Sequence, residues 1–578
     1  MSWLLPLPVV IPLLAGALNT VLDHVAPKWM HHAVTLGAMA TALGFSIVIL
    51  IQSMSSETLH WFGGWTPRSG VALGIAFAAD PLGAGAAVFT CALTLVALVY
   101  SVTFIEGEQR KYDVLMSAVC AAVCGFALSA DIFNLFVWLE LVGVAGYALT
   151  GFDVRRVRAL QGALNFSIVN SVGGYFVLTG IGLLYARTGA LDLAQIGRTL
   201  AGQHANGVVI VAMALIVSGF LCKAAVVPFH FWLADAYAVA PAPVCLVLAG
   251  ILTDIGIFGI ARVWFTVFDA PFGTHQRLVG DTLLWLGICT ALLGGVMALL
   301  QSNVKRLLAY SVICHIGIIL AGVALLSSKG VAGAATMVLA HGFLTGGLFL
   351  ACGILVVRRA PRWLAGLWFA GTLALIGPPY IGIYLGHALI DDAAAEAGRH
   401  WPQPLLWLAG ALAGAALLRA GVEVFWRGEH DDVGLEEPRE ARVGVLLACT
   451  ALLLAAGAVT SLVPGLGQRA HYGADRFRAR AEYADRVLHD RPMKTTPHLP
   501  VVLQPTSAES LAYASGATLL AVLVALLSLW RPRLARRSVL RPAVAGLRAV
   551  HSGVIGDYVT WMVVGTAVIG GVWAIGLR

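Results

Sequence analysis

The segment 207–240 reads GVVIVAMALIVSGFLCKAAVVPFHFWLADAYAVA and holds a lysine, a proline and a histidine within a long apolar run. An uninterrupted run of this length would form a helix crossing the ~30 Å hydrocarbon core of a bilayer. Pro228 removes a backbone donor and clashes with the preceding turn, so it breaks such a helix. Lys223 carries a charge that is costly in lipid. The segment therefore predicts a broken membrane helix that faces a polar interior.

Apolar runs of similar length recur along the whole chain. Of the 578 residues, 59% are hydrophobic and only 12% are charged, whereas soluble domains are about a quarter charged. Backbone polar groups in lipid must be satisfied within the spanning segment, and the runs do not show the alternation of a β-barrel. The fold class is therefore predicted to be all-α, a polytopic membrane protein of about 14–16 transmembrane helices.

Sixteen candidate spans follow from these runs. They are 3–24, 31–53, 82–105, 114–130, 132–151, 160–186, 207–240 (broken), 242–266, 281–300, 303–326, 331–357, 363–390 (broken), 404–426, 441–463, 509–530 and 551–576. The first apolar run lacks a preceding basic region and a cleavage site, so it is expected to be retained as a helix.

The loops between these spans alternate in charge. With Lys28 in the cytoplasm, the same side receives Arg110 and Lys111; Arg155, Arg156 and Arg158; Lys305 and Arg306; Arg358, Arg359 and Arg362; Arg427; and Arg531, Arg533, Arg536, Arg537, Arg541 and Arg548. The opposite loops hold Asp131, Asp269, Asp281, Asp391, Asp392 and Glu396. This bias of basic residues towards the cytoplasm predicts that both termini face outward.

A second span is also broken, at Gly377–Pro378–Pro379. The two broken spans lie in similar places within five-helix stretches, which predicts an internal repeat of the kind that transporters use to build a site at mid-membrane. Proline kinks that serve packing alone are the alternative interpretation.

The predicted outer segment 466–508 is rich in arginine, unlike its neighbours on that side. Small and apolar residues in it recur at steps of three and four, at Ala470, Ala474, Phe477, Ala481, Ala484 and Leu488. This period predicts an amphipathic helix on the membrane surface or on a neighbouring subunit. Four prolines, at 492, 497, 500 and 505, predict an extended connection after it.

Two charges are expected to meet inside the membrane. Glu140 lies in the middle of the span 132–151, and Lys223 precedes the first break. Each would cost about 2.5 kcal/mol or more in lipid by itself, so we expect the two side chains to face each other inside the bundle. Such a pair can exchange a proton when the carboxylate moves or changes its own protonation state. A static ion pair that holds two helices together is the alternative.

Further ionisable residues lie in or near the spans, namely His230, Asp254, His315, His341 and His387. Histidine can pass protons near neutral pH, although a single buried histidine is often only a hydrogen-bonded core residue. Their number favours a proton route between the two broken helices. Arg419 is a further buried charge, and Glu423 one turn later is its expected anchor.

No cofactor or metal is predicted. All nine cysteines lie inside apolar runs, and although Cys120 and Cys124 share a helix face, no histidine or aspartate is placed to complete a site. We find no nucleotide-binding glycine loop, haem ligands, cysteine quartet or nucleophile set. Any redox chemistry is therefore expected to belong to partner chains, and nucleic acid is not an expected partner.

Several motifs together resemble the antiporter-like membrane subunits shared by respiratory complex I, Mrp-type cation/proton antiporters and membrane-bound hydrogenases. They are Asp80–Pro81, Asn134 to Glu140, Lys223 to Asp235 with Pro241–Ala–Pro243, Gln301 to Ser311, His315–Ile–Gly317, His341 and Gly377–Pro378–Pro379. The resemblance covers roughly residues 75–430 and looks closest to the D-type subunit of Mrp antiporters.

The resemblance implies two inverted five-helix repeats, at 113–266 and 279–430, between N-terminal helices at 1–112 and C-terminal helices at 431–578 with the external segment 466–508. It implies that Glu140 and Lys223 handle the proton and that His341 lies on the route to a second half-channel. Three positions depart from the family pattern, because Asp254, Thr345 and Gly386 stand where the family usually has charged residues. Asp254 and His387 are candidate replacements.

The function predicted from these features is proton or cation translocation by one subunit of a multisubunit complex in the bacterial plasma membrane. Its expected partners are other membrane subunits, the lipid bilayer, the proton and, as a second ion, Na⁺. Two alternatives stay open: a structural subunit that anchors a redox module through the helix at 466–490, and the membrane half of an inorganic-carbon uptake system.

Overall fold

In a computed structural model, the chain is almost entirely helical. The structure describes residues 2–22, 27–56, 58–105, 108–201, 206–357, 361–427, 442–489, 507–530, 546 and 553–577. The first eleven α-helices are α1 (Leu7–Val21), α2 (Lys28–Ser53), α3 (Pro81–Phe104), α4 (Gln109–Leu128), α5 (Ile132–Thr150), α6 (Val157–Thr188), α7 (Leu193–Ala201), α8 (Gly207–Lys223), α9 (Phe231–Val239), α10 (Ala242–Val247) and α11 (Asp254–Val263). The others are α12 (Gln276–Leu299), α13 (Val304–Ala324), α14 (Ser328–Val357), α15 (Arg362–Ile376), α16 (Tyr384–Glu396), α17 (Pro402–Val422), α18 (Val443–Val459), α19 (Leu466–Arg478), α20 (Arg480–His489), α21 (Ala508–Trp530) and α22 (Ile555–Gly576).

The predicted fold class, an all-α polytopic membrane protein, is confirmed, whereas the orientation of its loops and termini stays a prediction. Among the described residues, 14 helical segments are long and apolar enough to cross a bilayer, and α8 and α15 are shorter apolar helices. Those two are the first halves of the broken spans, so the sixteen predicted spans all correspond to helical segments. The arginines at 358, 359, 531, 533, 536, 537, 541 and 548 and the proline segment at 492–505 lie outside the described residues.

Both breaks follow directly from the local sequence. Helix α8 ends at Lys223, and α9 begins only after Pro228. Helix α15 ends at Ile376, and the next residue, Gly377, has a φ of 80°, the left-handed conformation that glycine adopts without a steric penalty. Pro378 and Pro379 follow, and neither can donate a backbone hydrogen bond to continue the helix. In each predicted five-helix repeat the broken span is the fourth. The division of the chain into repeats at 113–266 and 279–430 stays a prediction.

The core of the bundle is centred on α13, which is buried along nearly its whole length. It packs against α12 through glycines on both helices. A Cβ at Gly287 would lie 2.7 Å from the carbonyl oxygen of Gly317, and a Cβ at Gly317 would collide with the backbone of α12. Without a hydrophobic driving force between helices in lipid, small residues that allow such close approach stabilise the packing.

The eighth span contains irregularities that the sequence did not predict. The segment Ala242–Phe268 holds two π-helical turns, at Leu248–Leu252 and Trp264–Phe268. Such turns occur often at functional sites because they rotate the side chains that follow. Asp254 lies two residues after the first of them.

Polar contacts hold the outer rim together. A two-stranded antiparallel sheet, β1 (Thr58–Trp61) paired with β2 (Ala76–Ala79), leads into α3. Asp80 caps α3 and forms a buried ion pair with Arg262 of α11. The guanidinium carbon of Arg262 also lies 4.0 Å from the centre of the Phe477 ring, a cation–π contact with α19.

The prediction of a single amphipathic helix was wrong. The segment forms two helices, α19 and α20, because the backbone turns at Ala479, and Ala481 is consequently exposed. Part of its apolar face packs on this chain, since Phe477 contacts Phe258 and Phe265, with ring centres 5.5 and 6.2 Å away. Its position on the membrane surface or on a neighbouring subunit stays a prediction. The part at 490–506 lies outside the described residues.

The contact between α12 and α13 can be tested with two glycines. Gly317→Ala forces two backbones apart and should lower stability by about 1–3 kcal/mol. Gly366→Ala is the matched control, because a Cβ there meets nothing within 4 Å, and it should be neutral or stabilise by up to about 1 kcal/mol. Thermal unfolding of both variants in detergent measures the difference. Equal melting temperatures would contradict this packing.

Candidate functional site

Lys223 is the last residue of α8, and its side chain is 4% exposed. Its ammonium donates a hydrogen bond to the carbonyl oxygen of Leu139, 3.4 Å away on α5. The C-terminal end of a helix also favours a cation because its last carbonyl groups are unpaired. The break after Lys223 therefore creates a place inside the membrane where an ammonium can be held.

Glu140 lies on α5, next to the carbonyl group that binds Lys223. Its carboxylate lies against Gly174 of α6, in space that a larger residue there would fill. A Cβ at Gly174 would collide with the carboxylate, because it would lie 2.8 Å from Cδ of Glu140. Gly143 leaves room for the amine in the same way, because a Cβ there would lie 3.1 Å from Lys223 Nζ. Two glycines thus make space for two charged side chains.

The two charges interact electrostatically but form no ion pair in this structure. Glu140 and Lys223 contribute to each other's electrostatic environment, yet no oxygen of the carboxylate lies within 4.0 Å of Nζ. Glu140 is half-buried, whereas Lys223 is fully enclosed. The arrangement is loose, which differs from the tight contact expected of a static anchor.

His230 lies on the far side of the first break. It precedes the first residue of α9 and is buried, with its ring 4.2 Å from the ring of Phe231. Helix α9 is fixed in turn by Asp235, which pairs with Arg306 of α13 and accepts a hydrogen bond from Asn165 of α6 at 3.1 Å. Lys305 donates to the carbonyl oxygen of Ala240. The second half of the broken span is thus held firmly at its predicted cytoplasmic end.

Asp254 is separate from the Glu140–Lys223 pair. No hydrogen bond or ion pair between the described side chains joins it to Lys223, and both its carboxylate oxygens are buried without a hydrogen-bond partner. It lines a mostly apolar cleft of about 660 Å³ between α3, α14 and α19. The predicted line from the pair through Asp254 therefore has no direct contact to support it.

Three histidines are close together in the second half of the chain. The rings of His315 on α13 and His341 on α14 are stacked with centres 5.0 Å apart. His315 places both ring nitrogens against carbonyl oxygens, Nδ1 at 2.7 Å from Ser311 and Nε2 at 3.3 Å from Leu375. The Leu375 carbonyl group lies in the last turn of α15, directly before the second break.

The two stacked histidines differ in their partners. Because both nitrogens of His315 face acceptors, its doubly protonated form would have both N–H groups satisfied. His341 has no partner for either nitrogen among the described residues. A proton that reached His341 would therefore find a better-satisfied position on the neighbouring ring.

His387 continues this group on α16. It is buried, interacts electrostatically with His315, and stacks on Trp407 of α17 with ring centres 3.9 Å apart. The structure adds a residue that sequence reasoning assigned to an outer loop: Asp391, one turn further along α16, accepts a hydrogen bond from the indole of Trp407 at 2.7 Å. The signal in the sequence that could have identified Asp391 is its spacing of four residues from His387, which places the two side chains on the same face of a helix.

The remaining predicted groups act as structural contacts. Arg419 lies 3.7 Å from Glu423, as expected of an anchor. It also donates to the carbonyl oxygens of Leu299 and Gln301 at the end of α12. The thiols of Cys91, Cys120 and Cys124 meet within 4.8 Å, and no fourth histidine, cysteine or acid joins them in the described part of the chain. Sequence spacing could not place Cys91, which lies on α3.

Two acids share the predicted outer rim, outside the spans. Asp131 caps α5 through the amide of Asn134 at 2.7 Å, and Asp192 caps α7 through the amide of Gln195 at 2.9 Å. Burial raises the pKa of Asp131 to about 6. Burial, with a smaller contribution from the charge of Asp131, raises the pKa of Asp192 to about 7.

These features define a class of protein: a polytopic membrane protein with two broken helices, each next to buried ionisable groups. The solved Mrp complex from Dietzia sp. contains a chain with the same fold, at a TM-score of 0.73 and 25% identity over 84% of this chain and all of that one. The membrane-bound sulfane sulfur reductase, an archaeal respiratory membrane complex, matches at a TM-score of 0.74 and 22% identity over 84% of this chain and 99% of the other, and this match shows the fold alone.

Sequence comparison defines the family. Residues 129–401 match the model of the NADH:quinone oxidoreductase/Mrp antiporter transmembrane family. NADH-quinone oxidoreductase subunit N of Desulforudis audaxviator is 31% identical over 65% of this chain and 77% of the relative. The D-type subunit of the Na(+)/H(+) antiporter of Bacillus subtilis is 28% identical over 79% of this chain and 94% of the relative. The chain belongs to this family, and the resemblance seen in its motifs is confirmed.

The acid pair at the outer rim predicts a specific pH dependence of stability. Because folding raises both carboxyl pKa values above the ordinary 3.8, the folded state binds more protons than the unfolded state. This stabilisation is complete below pH about 4 and is lost as the pH rises through about 6 and 7. The melting temperature of the wild-type protein should therefore fall between pH 5 and 8. In Asp192→Asn this fall should be smaller by about 2–4 °C.

The control is Glu482→Gln, which removes an exposed acid from α20 and should leave the slope unchanged. Thermal unfolding in detergent at several pH values measures all three proteins. A wild-type melting temperature that rises across this range would contradict the assignment.

Proposed function

We propose that this chain translocates protons as an antiporter-like membrane subunit of a multisubunit complex in a bacterial plasma membrane. One observation carries the proposal: Lys223 is enclosed at the end of a broken helix, within electrostatic reach of Glu140, and its ammonium has a single hydrogen-bond acceptor, a carbonyl group, among the described residues. A buried ammonium with so few partners can lose its proton at moderate cost, and a nearby carboxylate supports the charged state.

The loose geometry supports a switch rather than an anchor. When the Glu140 carboxylate approaches Lys223, the ammonium is stabilised by its opposite charge. When Glu140 moves away or takes a proton itself, the Leu139 carbonyl and the end of α8 are the partners that the described part of the chain still offers the ammonium, so Lys223 releases its proton. The glycines at 174 and 143 leave the space that both side chains occupy beside each other.

The other predicted carriers extend this route in two directions. His230 lies beyond the first break, towards the predicted cytoplasmic end, and the group of His315, His341 and His387 serves the second half of the chain. Asp254 has no hydrogen-bond partner among the described residues. We therefore propose that it carries a proton only as a neutral carboxylic acid and exchanges that proton with water. The chain needs no cofactor for these steps.

The relatives support the ion and the setting. The Bacillus subtilis relative is named for Na(+)/H(+) antiport, which makes the proton the proposed ion and Na⁺ its proposed counter-ion. The solved structures with this fold are multisubunit membrane complexes, so other membrane subunits are the proposed partners. The amphipathic face of α19 is already occupied by this chain's own helices, which does not favour the alternative of an anchor for a redox module.

Substitution of Lys223 tests the proposal. In vesicles containing the whole complex, Lys223→Ala should lower proton transport at least tenfold, because no ammonium remains to exchange a proton. Lys111→Ala removes an exposed lysine, 64% accessible, from the start of α4 and should keep the wild-type rate. Dye-reported ΔpH measures transport, and copurification measures assembly. Wild-type transport by an assembled Lys223→Ala complex would refute the proposal.

A further inference from the structure

We infer that Asp391 is the terminal proton carrier of the second half of the chain, and that α21 supplies the outlet from it to the predicted outer surface. This inference rests on the proposed function and extends it to a residue that the sequence placed in a loop. It is carried by the surroundings of one carboxyl group on α16.

Asp391 is enclosed but incompletely satisfied. It is 2% exposed, and although Oδ2 accepts the indole hydrogen bond of Trp407, Oδ1 has no partner among the described residues. A structural carboxylate at such a depth is normally bonded on both oxygens. The unsatisfied oxygen is thus a position at which a proton can be bound and released.

The carboxyl group lies next in line after the three histidines. His387 is one turn before it on α16, and Trp407 contacts both residues, stacking on the imidazole at 3.9 Å and donating to the carboxylate at 2.7 Å. His387 in turn interacts electrostatically with His315. A series of buried ionisable groups therefore leads from His341 towards Asp391, with Trp407 between the last two.

Beyond Asp391, hydroxyl groups lead to the surface. Ser510, at the start of α21, is 1% exposed and interacts with the Asp391 carboxyl group. The hydroxyl of exposed Ser507 donates to the Ser510 hydroxyl at 2.9 Å. Hydroxyl groups both donate and accept hydrogen bonds, so such a pair can pass a proton.

Other charged groups surround this outlet. Asp392 on α16 and the exposed Glu509 on α21 both interact electrostatically with Asp391. Lys329 of α14 pairs with Glu396 at the end of α16. These acids give the outlet a negative potential, which attracts protons that leave Asp391 or approach it. Since α21 lies beyond residues 129–401, the part matched by the family model, the outlet is built partly by a segment outside that core.

Substitution of Asp391 tests the inference. In vesicles containing the whole complex, Asp391→Asn should lower proton transport at least tenfold while copurification of the complex stays normal. Glu482→Gln, which removes an exposed acid from α20, should change the rate less than twofold. Asp391→Glu, which keeps the carboxyl group, should recover part of the lost transport. A purely structural role of Asp391 would not explain this recovery, because asparagine matches the size of aspartate better than glutamate does.

The outcomes separate this inference from the proposed function. Normal transport by Asp391→Asn together with loss in Lys223→Ala overturns the outlet and leaves the proposed function intact, whereas normal transport by both overturns both. If Asp391→Asn does not assemble, Trp407→Phe takes its place, because it removes the donor to Oδ2 and keeps an aromatic ring beside His387. It should shift the pH of half-maximal transport, and a pH profile identical to wild type would overturn the inference.

Discussion

A charge enclosed by membrane helices must find its partners within the protein, and this constraint governs the first half of the chain. Lys223 is tolerated because α8 ends beside it, which leaves the helix terminus and a carbonyl group of α5 to receive the ammonium. The break also frees backbone groups that lipid could not satisfy, so they must lie in the protein interior. Glycines at 143 and 174 then set the space that Glu140 and Lys223 share.

The second half of the chain solves a related problem with different chemistry. Its broken span carries no lysine after the break, and imidazoles are used instead. The break at Gly377 leaves the Leu375 carbonyl group available to His315. Neutral histidines are less costly to bury than an ammonium and can still accept a proton. Each half therefore contains a broken span, but the two halves differ in the groups that would carry the charge.

Much of the fold could be predicted because lipid imposes a simple rule on sequence. Runs such as 304–324 must be helices, and Pro228 and Pro378 must interrupt them. The π-turn before Asp254 could not be foreseen, because it depends on packing rather than on a local signal. The amphipathic period at 466–490 was correctly read as helical, but its contact with α11 and its turn at Ala479 are tertiary effects.

The candidate site was predictable in part for a similar reason. Glu140 and Lys223 stood out because charges are rare within spans, and the structure brings them near each other. Asp254 stood out equally but faces an apolar cleft, since periodicity does not show which side of a buried helix a residue occupies. Asp391 was overlooked because it follows the apolar run and reads as a loop residue, although α16 continues to Glu396 and encloses it.

Energetic coupling between Glu140 and Lys223 is the most direct test of this account. A double-mutant cycle would compare proton transport by Glu140→Gln, Lys223→Met and the double variant in the assembled complex. If the two side chains form one proton-handling unit, the second substitution should add little to the first. Independent, multiplicative losses from the two substitutions would contradict the claim that Glu140 and Lys223 act together.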